Sequence, residues 1–415
     1  MTTFPSPFRI SSPADILSYV PHALGFVPFE SLVILTLTGK RLGATLRVDL
    51  PYGDGDPAQF AAGVCSFLVA DDTADGSLMM LYTATPWDRP GAPPHRSMVN
   101  ALDSALHRAG IGLRDGWLIS PSTWRDYFCS DAQCCLWPGH PLEGVTDSAL
   151  NAELIFEGSS VAPSVDAAVQ LGAAAPAPQA TAEVARACAK YAALCRGRWL
   201  ETSQFRATVE VWEAAISLPL PLECSEQPGV GGFLIASLGS KTVRDFLLVS
   251  SCLGLGSAVR GARACGLLEE QHPAAPPVAP ALTHPLRPAG NSGSDAASWD
   301  APASRADALQ LSDLLSGRYE GAMTWSRADS VHDLLIRLSA VSAGEGKAAV
   351  CSMLAWIEFA RGRGSRACVH LAEAEAAAPG YRLARLLSEL ISRGGMPAWA
   401  RKRSSAWAAP SRRTG

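Results

Sequence analysis

Lysine is nearly missing from this chain: it stands only at positions 40, 190, 241, 347 and 402, and arginine supplies the rest of the 35 basic residues. Beside so much alanine, that skew reflects GC-rich coding and carries no chemistry of its own. Charge is sparse too. Charged residues make up 18 % of the sequence, hydrophobic residues 48 %, and the formal charge is −4. That balance excludes a disordered polyelectrolyte and a protein basic throughout for nucleic acid. No apolar run reaches the roughly 18 to 20 residues that a bilayer requires. The best candidate, FLLVSSCLGLGSAV at 246–259, is bounded by Lys241, Arg244, Asp245 and Arg260 and reads as a buried core helix, so no transmembrane segment is expected. The N-terminus lacks the positive start, apolar centre and small-residue cleavage site of an export signal, which predicts a cytoplasmic protein. Eleven cysteines, an odd number without disulfide-framework spacing, are expected as small buried hydrophobes in a reducing cytosol.

Familiar catalytic motifs are missing as well. There is no H-E-x-x-H, G-x-S-x-G or C-x-x-C, which removes the metalloprotease, hydrolase and thioredoxin-like routes. GSKT at 239–242 lacks phosphate-loop spacing and reads as a helix start, and GVGGF at 229–233 lacks the final glycine of a nucleotide loop. GRGSRA at 362–367 follows a helical run, whereas a dinucleotide fingerprint follows a strand.

What is present is an α/β front and a helical rear. A chain of 415 residues implies two or three domains. Residues 1–160 alternate strand-like and helix-like patterns and predict a mixed β-sheet with packed helices, an α+β or α/β unit. Ser12, Pro13 and Asp15 mark a helix start, with the helix running to about Tyr19. SLVILTLT at 31–38 reads as a central strand covered on both faces; Gly39-Lys40 is a tight turn, and GATLRVDL at 43–50 is its half-exposed partner. Helices follow at 57–70, 95–109 and 147–156, with strands at 77–84, 116–120 and 124–128. From 181 onward the strand signal disappears, with helices expected at 181–195, 208–216 and 242–254, the last capped by Thr242 and Asp245. The expected organisation is a helical region over 161–271, a disordered proline-, alanine- and glycine-rich linker over 272–304, a tetratricopeptide-like helical hairpin region over 305–395 and a basic tail over 396–415. LGAAAPAPQA at 171–180 also has linker composition.

Three segments, SPADILSYVPHALGFVPFESLVILTL, RVDLP at 47–51 and WRDYFCSDAQCCLWPGHPL at 124–142, resemble the bacterial family known as domain of unknown function 4192. The closing stretch from LAWIEFARGRG onward resembles that family's C-terminal part. The resemblance implies an actinobacterial-type source, in keeping with the arginine bias, and transfers no activity, ligand or catalytic residue. The 272–304 insertion and His140, where a hydroxyl residue is expected, depart from the family pattern.

Three sets of residues are candidates for chemistry. A tight Gly39-Lys40 turn pairs Leu32 with Arg47 and Glu30 with Asp49, gathering Glu30, Arg47 and Asp49 on one face as a polar-ligand site or a surface ion-pair cluster. His22, in VPHALGF, is placed either to carry a proton or simply to cap and pack. Cys129, Cys134 and Cys135, with His140 downstream, hold the ligand types of a zinc site. Their C-x4-CC-x4-H spacing favours packed thiols or a local disulfide over zinc, because adjacent cysteines do not readily turn to one ion. The tail sets Arg401, Lys402, Arg403, Arg412 and Arg413 beside Trp399 and Trp407, the one place that could touch nucleic acid or an acidic lipid surface, although a solvated terminus is the plainer reading. With helical surfaces and no catalytic constellation, the sequence points to a cytoplasmic non-enzymatic binding or adaptor protein with an unknown protein partner. A small-molecule-binding or enzymatic α/β domain around His22, Glu30, Arg47 and Asp49 is the alternative.

Overall fold

The structure, a computed structural model, describes residues 9–408 except 52, 54, 132, 171–175, 219–221, 225, 269–274, 282–298, 300, 394 and 403. A six-stranded mixed sheet occupies the N-terminal half, and the rest of the described chain is helical, in agreement with the expected α+β class. Two compact units result, residues 1–168 with 401–415 and residues 169–400.

In the first unit, α1 (Pro13–Leu24) begins on a reciprocal cap between Ser12 and Asp15. It runs past Tyr19 and over Pro21, ending where Gly25 takes a left-handed conformation at φ 81°. The strands are β1 (Ser31–Thr38), β2 (Arg41–Asp49), β3 (Gly76–Tyr82), β4 (Leu113–Ile119), β5 (Thr123–Asp126) and β6 (His140–Pro141), in the order β2-β1-β3-β4-β5-β6. β3 and β4 are parallel and joined through α3 (Arg96–Arg108); the other pairs are antiparallel. β1 is buried on both faces, as its continuous apolar run requires. Leu32 and Ile34 enter a core with α2 (Pro57–Leu68) and α3, while Val33, Leu35 and Leu37 pack with Leu17 and Val20 of α1.

The β1–β2 register departs from the expected one. Thr38 faces Arg41 and Leu37 faces Leu42, but beyond an irregularity at Thr36 the partners become Leu35 with Thr45, Val33 with Arg47 and Ser31 with Asp49. The cause is local. Thr36 Oγ1 takes the Ala44 N–H and donates to Asp71, and a Cβ on Gly43 would stand 2.3 Å from that oxygen. Only glycine fits there, and one extra residue is absorbed.

After β6 come α4 (Glu143–Thr146), α5 (Ala149–Phe156) and α6 (Val165–Gln170). The helical unit continues with α7 (Pro178–Leu194), α8 (Thr202–Ile216), α9 (Pro228–Ser237), α10 (Lys241–Leu253), α11 (Leu255–Ala264), α12 (Arg305–Leu315), α13 (Trp325–Val341), α14 (Gly344–Ala360), α15 (Gly364–Ala377) and α16 (Arg382–Ser392). Ser240, and not Thr242, caps α10, accepting the Val243 N–H. Gly254 breaks the 246–259 run into α10 and α11, and no helix among the described residues is long and apolar enough to cross a membrane. One core runs from Val184 to Trp399 and includes Trp212, Trp356 and Trp399. α14 and α15 form a helical hairpin with Leu354, Ala355, Ala367, Leu371 and Ala374 buried, and α16 packs on it.

Part of the stretch expected to be a disordered linker is held in place. The Gln204 amide accepts the Val278 N–H and donates to the Val278 carbonyl, both at 2.8 Å, and Arg198 and Ser203 bind the carbonyls of Pro276 and Ala275. Residues 282–298 and 171–175 of the two linker-like stretches lie outside the described residues. The tail also differs from expectation: Trp399 is buried with its indole N–H on the Ala360 carbonyl, and Trp407 is buried too. Neither ring is offered for stacking, and Arg403, Arg412 and Arg413 lie outside the described residues.

Candidate functional site

His22 lies in the last turn of α1 and is buried. Nε2 is 2.8 Å from Asn151 Oδ1 and Nδ1 is 2.8 Å from Ser159 Oγ. Asn151 Nδ2 donates to the Thr146 carbonyl, which turns its oxygen toward the imidazole. In a neutral imidazole this order has Nε2 donate to Asn151 and Nδ1 accept the serine hydroxyl. This is the hydrogen-bond order of a nucleophile, base and orienting group. Its surroundings do not complete that chemistry. The N–H of Ser159 is spent on the Leu154 carbonyl and that of Gly158 on Ile155, so the amides nearest the hydroxyl cap α5 and do not face a developing oxyanion. The arrangement acts as a clamp between α1 and the end of α5.

Glu30 and Arg47 are likewise tied into the fold. Glu30, at φ 41°, accepts the Ala84 N–H at 2.6 Å and the Thr83 hydroxyl, pinning the exit of β3 to the entrance of β1. Arg47 donates to Ser31 Oγ and pairs with Asp49 at 2.5 Å. The shifted register explains the outcome: Arg47 and Asp49 share a face with Ser31 and Val33, and Glu30 precedes the strand and is not part of that face. The structure brings Arg47 and Asp49 together and directs Glu30 and His22 to other partners.

The cysteines do converge. Cys129, Cys134 and Cys135 sit between β5 and β6, and their three sulfurs all lie within 4.8 Å of one another. Asp126 Oδ1 receives the N–H groups of Phe128 and Cys129, the Asp131 carboxylate receives that of Gln133, and the Asp131 carbonyl receives that of Cys135, all at 2.8 Å. These bonds fold the loop back until position 129 faces 134 and 135. Beneath it, Arg125 of β5 is buried and donates to the carbonyls of Cys135 and Leu136, with its guanidinium 3.6 Å from the centre of the Trp137 ring. Burial, then the neighbouring Cys129 and Cys134, pushes the Cys135 thiol up to about 12. His140 of β6 stacks on Trp124 of β5 and stands outside the sulfur cluster.

Sequence reasoning missed a hollow of about 430 Å³ beside this loop, lined by Asp103, Arg114, Asp115, Asp126, Phe128 and Cys129. Burial raises the Asp115 pKa, opposed by the Gly116 N–H and reinforced by Asp126. Period-two alternation around β4 was the available signal, but carboxylates on adjacent strands meet only once pairing is known.

Residues 13–254 and 307–398 match the family described as Domain of unknown function (DUF4192), and the interval between them contains the 272–304 insertion. No curated protein and no solved structure matches the chain. The matched stretches cover well over half of the sequence and include the sheet, the cysteine loop and the helical hairpin, and the chain therefore belongs to the DUF4192 family.

Proposed function

We propose that this protein is a non-enzymatic binding or adaptor protein of the cytoplasm of an actinobacterial-type cell, with a protein as its partner. The observation that carries this reading is that His22, Glu30 and Arg47 are each consumed by hydrogen bonds that hold the fold. The sheet unit also exposes two large aromatic side chains: Phe29 is 69 % exposed and Phe156 is 92 % exposed, on segments adjoining the Phe26–Ala162 bridge. Exposed apolar side chains that form one contiguous patch mark contact surfaces, and this reading takes Phe29 and Phe156 as parts of such a patch. The test is affinity capture of the full chain from such a cell, beside a Phe29→Ser, Phe156→Ser variant. A stoichiometric partner retained by the parent and lost by the variant is expected; recovery of chaperones alone, or equal recovery by both, refutes the reading. The enzymatic alternative is favoured by the Ser159, His22 and Asn151 geometry alone. It requires a serine-directed fluorophosphonate to label Ser159, whereas the adaptor reading expects no labelling.

A further inference from the structure

We propose that Cys129, Cys134 and Cys135 form a trithiolate site for one thiophilic closed-shell cation, Zn(II) or Cu(I), with one coordination position left open to the exterior. Three observations carry it. The first is convergence: the sulfurs lie within 4.8 Å of one another although two belong to adjacent residues, and among the described residues no other three metal-ligating side chains meet in this way. Thiolates sharing an ion at a metal–sulfur distance of about 2.3 Å stand about 3.8 to 4.0 Å apart, so closure asks for shifts of about 1 Å at most. Side-chain rotation supplies that much without moving the backbone.

The second observation is the support around the loop. Arg125 is buried under it, bound to the carbonyls of Cys135 and Leu136 and stacked on Trp137, while Trp87 packs edge-on against Trp137. A fixed cation beneath the loop offsets the excess negative charge of three thiolates around a monovalent or divalent ion, and such outer groups hold ligands in place. The third is access. Cys134 is exposed, Cys129 half-buried and Cys135 buried, so the cluster is reachable from solvent through Cys134.

The chemistry balances without a redox step. Three S–H bonds break, three protons pass to solvent, and three sulfur–metal bonds form. Because each thiol must lose its proton to bind, uptake weakens as pH falls. With His140 stacked on Trp124, the protein supplies three ligands. That number suits trigonal Cu(I), or Zn(II) completed by water.

The test uses the full chain, reduced with a phosphine and freed of metal. It is titrated in one arm with Co(II) as a probe of the zinc geometry, and in the other with Cu(I) held by a chromophoric competitor. One equivalent is expected in at least one arm, with a sulfur-to-cobalt charge-transfer band if the zinc arm is positive. Proton release should accompany uptake, and alkylation and mass spectrometry should show these three cysteines protected. Cys134→Ser, at an exposed position, should weaken uptake by at least the roughly 10- to 100-fold that loss of a supporting group costs a metal site, and Cys265→Ser, exposed and outside the cluster, should leave it unchanged. Failure to bind either ion, or binding that Cys134→Ser does not weaken, overturns the proposal.

Discussion

Glu358 is a charged side chain buried in the helical unit, and the residues around it show how the cost of that burial is met. It lies in α14, almost wholly excluded from water, with His332 Nε2 at 2.9 Å and Arg361 at 3.1 Å; Arg361 in turn reaches Asp329 at 2.6 Å. Burial alone would raise the Glu358 pKa, but the His332 hydrogen bond and charge, then Arg363 and Arg361, hold it well below the usual carboxylate range. A buried carboxylate persists only when its partners are in place, since removing one leaves an uncompensated charge. His370, close by on α15, has the opposite problem. Burial pushes it down to about 4, outweighing the attraction of Glu358, so it stays neutral in the folded chain at pH values where it is protonated when unfolded. Between pH 6.5 and pH 4 the unfolded state therefore binds the extra proton, and stability declines as pH falls across that window. The loss amounts to roughly 3 kcal/mol at most. Glu358 acts in the same direction at lower pH: its contribution is present above the unfolded carboxylate pKa of 4.5 and drains away below it. Urea unfolding of the full chain at a series of pH values should show this slope, and His370→Leu should flatten it between pH 6.5 and 4. Equal slopes in the two proteins would remove His370 as its source.

At the scale of elements, close approach between helices is set by glycine. A Cβ on Gly232 of α9 would stand 2.5 Å from Ala187 Cβ and 2.6 Å from the Cys188 backbone nitrogen of α7, where no flexible side chain can yield. Gly232→Ala should therefore cost about 1 to 3 kcal/mol through overpacking. Gly229→Ala, one turn earlier with nothing within 4 Å of its Cβ, should be neutral or stabilising by about 0.5 to 1 kcal/mol through the unfolded chain. Chemical unfolding distinguishes them, and equal effects would refute the close contact. The same glycines explain why GVGGF does not read as a helix: Gly229, Gly231 and Gly232 have the lowest helix propensity short of proline, and tertiary packing overrides it. Elements with a strong local signal were legible from the residues. β1 carries an unbroken apolar run, α1 a reciprocal cap and β5 a place beside β4, and each is found within a few residues of its expected span. What failed depends on partners distant in sequence. The β1–β2 register turns on Thr36 meeting Asp71, β6 is two residues paired with Thr123 and Trp124, and the bond from Gln204 to Val278 spans 74 positions. For the candidate sites the pattern is similar. Residue type singled out His22 and the three cysteines, but whether their partners converge was decided by Asn151, Ser159 and the Asp126 and Asp131 turns, none of which periodicity announces.

For the whole molecule, the main consequence is that the helical half has one core, built from chain on both sides of the proline-rich stretch. α11 precedes that stretch and α12 follows it. Arg260 pairs with Asp307 at 3.0 Å, Arg263 donates to the carbonyls of Trp299 and Ala301, and Leu311 packs where Gly261 lacks a side chain. α10 packs on α12, α13 and α14, and the indole of Trp356 donates to the Leu315 carbonyl. A core shared in this way does not depend on the covalent link, because the apolar area that drives association is buried whether or not the chain is continuous. Breaking the link adds only the entropy of bringing two chains together, which a hydrophobic interface of domain-core type offsets. A protease site introduced between 282 and 298 and then cut should therefore leave fragments that elute together and, followed by the fluorescence of Trp212 and Trp356, unfold in one transition. If the fragments separated without denaturant, the regions before and after the proline-rich stretch would be independent domains, and the ion pair between Arg260 and Asp307 would be a surface contact with no core behind it.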